Sequence, residues 1–216
     1  YTLQKYMDKN PDGKLRDLVT EMLYDDIISL RIAPGSKLNV NQLASSLGIS
    51  RTPVSEAIAR LQEIGFVVSH PGQSGSFVLS LNLLDMINLY QVRSTVEGQA
   101  AALCAHAADD AVVRQLTILA DAFKDSVMRR DIRGMKDTDM PFHQLIIKSC
   151  GNPYIVQSYE LILPKLTMYQ ASMLEFIGHD GSGENPWMPS VAFNHTSVAS
   201  AIRMRMPELA RQSMED

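Results

Sequence analysis

The sequence predicts a mainly α-helical chain in two parts: three helices followed by a β-hairpin, and then an all-α antiparallel helical bundle. Apolar residues recur at three- and four-residue spacing along most of the 216 residues, as on one face of amphipathic helices. Around residues 66–80, two β-branched and aromatic runs instead flank Pro71-Gly72, which predicts a hairpin. From Leu83 onward no convincing strand pattern occurs. We therefore divide the chain into domains 1–80 and 81–216.

Breaker and capping residues place the N-terminal elements. Residues 1–13 are polar and contain Pro11 and Gly13, so we expect a loose arm. The predicted helices are an amphipathic one over about 14–30, a short one over 40–47 that Gly48 ends, and one over 51–64 that Ser50 caps and Gly65 ends. Pro53 falls in the first turn of the third helix, where its missing N–H costs nothing.

The same periodicity predicts the bundle. Its helices are expected at about 83–107, 110–131, 133–150, 153–177, 190–205 and 207–216, with a loop over 178–189. The run Gly151-Asn152-Pro153 breaks the helix pair on either side of it.

Composition limits the class of protein. No apolar run is long enough for a membrane helix and no signal peptide is evident, so we expect a cytoplasmic protein. In that compartment Cys104 and Cys150, which lie in apolar helical runs, are expected to be buried thiols. Net charge is −4, and the first 80 residues carry eight basic and eight acidic side chains. Charge therefore does not indicate nucleic-acid binding, and that hypothesis depends on motif geometry.

Three helices followed by a hairpin describe a winged helix-turn-helix, whose second motif helix enters the major groove of DNA. Side chains near the N-terminus of that helix can reach base edges, and a glycine-rich wing can follow the adjacent minor groove. The candidate DNA contacts are Arg51, Thr52, Ser55, Arg60, His70 and Gly75.

Two motifs here resemble the winged helix-turn-helix of GntR-type bacterial regulators. They are Pro34-Gly35-Ser36-Lys37-Leu38 and Leu47-Gly48-Ile49-Ser50-Arg51-Thr52-Pro53-Val54. The resemblance runs without a gap from about residue 14 to 79. Such regulators usually carry a second arginine one turn after the first, where this chain has Ser55. The resemblance therefore implies DNA binding with an altered affinity or operator sequence.

In the C-terminal part, Asp139 and His143 are four residues apart on a predicted helix, so their side chains share one face. A carboxylate and an imidazole at this spacing can share a divalent metal. The same spacing is also common in a surface hydrogen-bonded pair, and spacing alone does not separate the two interpretations.

Residues 81–216 are similar to the all-helical ligand-binding domain of the FadR branch of GntR regulators, the FCD domain. The matching elements are Leu89-Tyr90-Gln91-Val92-Arg93, Glu97, Ala100-Ala101-Ala102-Leu103, Asp139 with Phe142-His143, Asn152, and His195 leading into Ala201-Ile202. The resemblance implies that Asp139, His143 and His195 hold a divalent metal (zinc, nickel or manganese), and that Arg93 faces the carboxylate of a small effector. It places a fourth ligand, a histidine, just after Asp216, and we expect the sequence to stop one residue short of it.

The sequence thus predicts a homodimeric transcriptional regulator, a repressor or an activator, that binds a palindromic DNA operator under the control of a small organic acid. Two alternatives remain at this point. The bundle could be purely structural, with Asp139, His143 and His195 paired with one another. A metal-dependent enzyme fused to a DNA-binding head is the other, although no general base or nucleophile motif accompanies the ligands.

Overall fold

A computed structural model of the chain describes residues 3–179 and 188–216, apart from the side chains of residues 174–179 and 188–192. It divides the chain into two compact units. The first comprises Tyr1–Leu83 and Pro164–Ala171, and the second comprises Leu84–Leu163 and Ser172–Asp216. Most of the predicted loop over 178–189 lies outside the described residues.

The first unit contains helices and a small antiparallel sheet. Its elements are α1 (Leu3–Lys9), α2 (Leu15–Ile28), β1 (Lys37–Leu38), α3 (Val40–Leu47), α4 (Arg51–Glu63), β2 (Val67–Val68) and β3 (Ser76–Val78). The strand order is β1-β3-β2, with Lys37 opposite Phe77 and Val67 opposite Val78. The hairpin of β2 and β3 was predicted. Strand β1 was not, because two residues after a Pro-Gly turn carry no alternating pattern.

One apolar core holds this unit together. Its members come from α2, α4 and the sheet, and the fully enclosed ones include Val19, Leu23, Ile27, Val54, Leu61 and Val78. Burying each such side chain contributes about 1.5–3 kcal/mol. The core fixes α4 against α2 and leaves the opposite face of α4 exposed.

The N-terminal segment corrects the prediction of a loose arm. Residues 3–9 form helix α1, whose Leu3 and Tyr6 side chains are buried in the core of the unit. The hydroxyl of Tyr6 donates a hydrogen bond of 2.7 Å to Asp25 on α2. Tertiary contacts therefore order a segment whose local sequence, with Pro11 and Gly13 close behind it, carries little helical signal of its own.

The second unit is helical throughout the residues described, as the sequence predicts. Its helices are α5 (Leu83–Ala107), α6 (Asp110–Arg129), α7 (Ile132–Ser149), α8 (Pro153–His179), α9 (Met188–Arg203) and α10 (Pro207–Glu215). Side-chain caps begin several of them. Asp109 accepts from the backbone of Val112, and Asn152 accepts from those of Tyr154 and Ile155. In this bundle α6 packs against both α7 and α9, and α9 packs against α10.

Cys104 and Cys150 are buried free thiols, as the sequence predicts. Burial raises the pKa of the Cys104 thiol to about 12. A thiol with that pKa is almost entirely protonated at neutral pH and is a poor nucleophile. No helix among the described residues is both long and apolar enough to cross a membrane.

Candidate functional site

The N-terminal half of α4 presents the predicted base-reading side chains to solvent. Arg51, Thr52, Ser55 and Arg60 are all exposed on this helix. Ser50 occupies the N-cap position with extended backbone angles, but its side chain makes no capping hydrogen bond, contrary to expectation. The first N–H groups of α4 therefore stay available to an anion such as a DNA phosphate. Arg60 forms an exposed ion pair of 2.8 Å with Glu63.

The wing brings together residues that are distant in sequence. His70 and Gly75 are exposed at the turn between β2 and β3, and the His70 ring lies 5.1 Å from that of Phe77. Lys37 of the neighbouring β1 places its Nζ 5.7 Å from the Phe77 ring centroid. Its Cε lies only 2.6 Å from where a Cβ on Gly75 would stand, so no larger residue fits without moving Lys37. Lys37 is a cation at the wing that the sequence reasoning missed.

The three predicted metal ligands converge in the second unit, two from one helix and the third from a helix distant in sequence. Asp139 and His143 lie one turn apart on α7, and His195 comes from α9. Oδ1 of Asp139 is 3.2 Å from Nε2 of His195 and 3.8 Å from Nε2 of His143. One ligand atom from each of the three residues lies within 4.8 Å of the others. Ligands about 2.0–2.2 Å from a shared metal stand roughly 3–4 Å apart, so these residues fit a divalent ion after a small contraction.

The alignment of these groups also suits a shared ion. Both imidazoles are buried, His143 at 8% and His195 at 6% exposure. Within the described part of the chain, neither nitrogen of His195 makes a well-aligned hydrogen bond, although Nε2 stands close to Asp139. A buried polar atom normally has a partner. Nε2 of His195 is therefore available to an ion held among Asp139, His143 and His195.

Aromatic side chains hold the His195 ring in this orientation. The Phe123 ring from α6 stacks on it, with centroids 4.1 Å apart and an interplanar angle of 29°. The centroid of the Phe142 ring lies 4.5 Å from that of His195. The same phenyl ring contacts His143 edge-on, with centroids 5.6 Å apart. Rings packed in this way have little freedom to rotate, so Nε2 of His195 stays close to Asp139 without help from a bound group.

The pKa shifts of Asp139 and His195 favour a bound cation, whereas the shift of His143 favours the protonated ring. Burial opposes ionisation of Asp139, but the neighbouring imidazoles of His143 and His195 outweigh it and hold the pKa of Asp139 well below its usual value. Burial lowers the pKa of His195, which favours the neutral ring that a metal requires. Burial also works to lower the pKa of His143, but the charge of Glu97 overcomes that effect and raises it.

Arg93, the predicted effector contact, lies on α5 beside this cluster. Its Nε donates to Oε1 of Glu97 at 2.9 Å, and the two side chains are 11% and 3% exposed. Its guanidinium also lies 5.3 Å from the Tyr90 ring centroid. Burial lowers the pKa of Arg93, but the charges of Glu97 and Asp139 raise it further, so the group is cationic. Arg93 is thus a buried cation close enough to Asp139, one of the three predicted ligands, to feel its charge.

Two residues of this region were not predicted to have a role. Glu97 matches the family pattern but had no predicted role, and its carboxylate lies 2.8 Å from Nδ1 of His143. The hydroxyl of Tyr159 on α8 is buried and has no hydrogen-bond partner among the described residues. Burial, and then the charge of Glu97, raise the pKa of that hydroxyl. The i,i+4 spacing of Arg93 and Glu97 was a local signal for that pair. No local spacing links α5 to α7 or α8, so the sequence offered no signal for the contact of Glu97 with His143 or for Tyr159.

The fourth ligand stays a prediction. Helix α10, which would precede it, is anchored by the fully buried Ala210. Near its end, Oε1 of Glu215 stands 2.7 Å from where a Cβ on Gly98 would lie, so α10 ends against α5 one residue from Glu97.

Comparison with known proteins identifies the family to which each part of the chain is similar. A model of the FCD domain matches residues 88–216, and one described as bacterial regulatory proteins of the gntR family matches residues 15–78. Among solved structures, Escherichia coli McbR/YncC has a TM-score of 0.70 at 19% identity, covering 93% of this chain and 92% of that one. A putative GntR regulator from Rhodococcus sp. RHA1 has a TM-score of 0.66 at 22% identity, covering 93% and 91%. Both show a common fold.

Curated relatives are similar to parts of the chain. An HTH-type transcriptional regulator from the TAR-I ttuE-ttuC' intergenic region of Agrobacterium vitis is 34% identical over 53% of this chain and 68% of its own length. The repressor RspR of Escherichia coli K12 is 27% identical over 63% and 60%, and the gluconate operon repressor of Bacillus licheniformis is 26% identical over 66% and 58%. The chain thus spans about three fifths of the length of the last two. It belongs to the GntR family of bacterial regulatory proteins, carries an FCD domain, and has transcriptional regulators rather than enzymes as its homologues.

Proposed function

We propose that this protein is a cytoplasmic DNA-binding regulator whose operator affinity is set by a small organic acid bound at a divalent metal in the second unit. Asp139, His143 and His195 hold the metal, and Arg93 receives a carboxylate of the effector. The observation that carries the proposal is the convergence of two ligand atoms from α7 and one from α9 in a largely buried place beside a buried arginine.

The chemistry of this donor set selects the class of effector. A divalent ion with three protein ligands keeps open positions, and it supplies a Lewis acid that two oxygens of one ligand can chelate. Arg93 adds a planar fork suited to a carboxylate. Hydroxy- or keto-acids satisfy both requirements, whereas an acyl thioester satisfies neither well. Nitrogen and oxygen ligands are compatible with zinc, nickel or manganese.

On the DNA side, we propose that α4 enters the major groove with Arg51, Thr52 and Ser55 toward the base edges. Arg60 lies further along the helix and contacts the DNA backbone. Its guanidinium leaves the exposed ion pair with Glu63 and binds a phosphate instead. At the wing, His70 and Gly75 approach the minor groove. Lys37 supplies a positive charge at the wing, in a unit whose acidic and basic side chains otherwise nearly balance.

A thermal melt of the full-length protein tests the sensing half of the proposal. Metal-stripped protein is loaded with zinc, nickel or manganese, and citrate, gluconate or lactate is then added. We expect the metal to raise the melting temperature, and one acid to raise it further only when metal is present. A ligand at 100 times its dissociation constant adds about 2.7 kcal/mol to the free energy of unfolding.

A pair of histidine variants controls for nonspecific metal binding. His143→Ala should lose the metal-dependent rise, while His106→Ala, which removes an exposed histidine from α5, should keep it. If neither metal nor any acid shifts the melt of the wild type, the cluster is structural and the sensing proposal is wrong. The alternative of a purely structural bundle would then be the better description.

A further inference from the structure

Glu97 is a buried carboxylate with a different cationic or donor group at each oxygen. Its Oε1 accepts from Nε of Arg93 at 2.9 Å, and its Oε2 lies 2.8 Å from Nδ1 of His143. The residue is only 2% exposed. A single side chain on α5 thus contacts both the proposed effector-binding arginine and one proposed metal ligand on α7.

The contact with His143 determines which ring nitrogen can bind a metal. Nδ1 of His143 and Oε2 of Glu97 are within hydrogen-bond distance, although the N–H of the ring is not well aligned with that oxygen in the structure. A carboxylate this close favours the proton on Nδ1, which leaves the lone pair of the neutral ring on Nε2. Nε2 is the atom directed at Asp139 and His195. A carboxylate behind a ligating histidine fixes the tautomer and the ring orientation and increases the basicity of the ligand.

We infer that Glu97 is the positioning residue that joins the two halves of the sensor, holding His143 in its metal-binding tautomer while it holds Arg93 beside the metal. The inference rests on the proposed function and extends it. Because one carboxylate serves both groups, binding of an effector carboxylate by Arg93 alters the charge that Glu97 shares with His143. Metal and effector affinities are therefore coupled through this side chain.

The substitution Glu97→Gln tests this because an amide has one acceptor where a carboxylate has two. Arg93 can only donate hydrogen bonds, so the amide oxygen of the substituted side chain would turn toward it and the amide nitrogen would face Nδ1 of His143. The ring must then carry its proton on Nε2, the nitrogen needed for the metal. We expect zinc to bind about 10- to 100-fold more weakly, measured by competition with a chromophoric chelator.

Two readouts separate positioning from general damage. Proton–nitrogen correlation spectra of the metal-free protein, at a pH where the ring is neutral, should show His143 protonated on Nδ1 in the wild type and on Nε2 in Glu97→Gln. Circular dichroism checks that the variant is folded. Glu160→Gln, which neutralises an exposed carboxylate on α8, is the matched control and should leave both zinc affinity and tautomer unchanged.

The outcomes are distinguishable. If the wild type binds zinc and Glu97→Gln binds it equally well with the same tautomer, the inference is wrong and the proposed function stands. If the wild type binds none of the candidate metals, both are wrong. If Glu97→Gln does not fold, the tautomer in the wild type decides: protonation of His143 on Nε2 overturns the inference, and protonation on Nδ1 supports it.

Discussion

Arg51 is the first residue of α4, and its exposed side chain forms no ion pair with the part of the chain described. A guanidinium at that place can donate two parallel hydrogen bonds to a guanine edge or clamp a phosphate. We expect Arg51→Ala to weaken operator binding by about 1–3 kcal/mol, roughly 5- to 150-fold, at constant salt. Fluorescence anisotropy with a labelled operator measures it.

The control for that prediction is Arg129→Ala, which removes an exposed arginine from the end of α6 in the second unit. It should change operator affinity less than twofold. Equal weakening by both substitutions would show that net charge, and not the position of Arg51, governs binding. Ser55 stands where related regulators carry a second arginine. Because serine offers no guanidinium to the DNA, Arg51 has to supply a larger share of the specificity.

At the scale of elements, the turn between α3 and α4 depends on one backbone conformation. Gly48 ends α3 with φ 67° and ψ 30°, and its N–H donates to the carbonyls of Ala44 and Ser45. A Cβ built on Gly48 meets nothing within 4 Å. A substitution here therefore affects the backbone alone, without a steric clash.

We expect Gly48→Ala to lower the free energy of unfolding by about 1–2 kcal/mol, the cost of a left-handed conformation for an L-residue. Gly48→Asn should cost less, because asparagine tolerates that region. Urea denaturation of the full-length protein measures both. If alanine were no worse than asparagine, the helix end would not be held in the left-handed conformation.

Packing decides other elements more than local propensity does. Helix α1 is stabilised because the side chains of Leu3 and Tyr6 are buried in the core. Strand β1 is stabilised because it pairs with β3. By contrast, α5, α6 and α7 agree with the periodicity to within two residues at each end. Long amphipathic helices carry many repeats of the same signal, whereas segments of two to seven residues carry almost none.

At the scale of the whole molecule, specificity requires more than one chain. A single α4 reads only a few base pairs, so we expect a homodimer on an operator with two symmetric half-sites. Light scattering of the isolated complex should give two chains per duplex, and footprinting should protect both half-sites. Scrambling one half-site should weaken binding by an order of magnitude or more. Protection of a single asymmetric half-site would contradict this.

Local sequence was sufficient for most of the architecture and for part of the site. Periodicity, glycine stops and the Ser50–Arg51–Thr52–Pro53 run predict the helices and the DNA-reading surface, because each signal lies within a few residues. The i,i+4 spacing of Asp139 and His143 likewise puts two candidate ligands on one helix face. The resemblance to a known family, and not spacing, added His195 and Arg93.

The tertiary structure alone decided which side chains from other helices meet these residues. Glu97 stands behind His143, the Tyr159 hydroxyl is enclosed near Glu97, and Lys37 reaches the wing beside Gly75. Each pairing joins positions 38 or more residues apart, across elements whose rotation about their axes is set by packing. Periodicity fixes which face of a helix is apolar, but the partner that this face meets depends on how all the helices pack together.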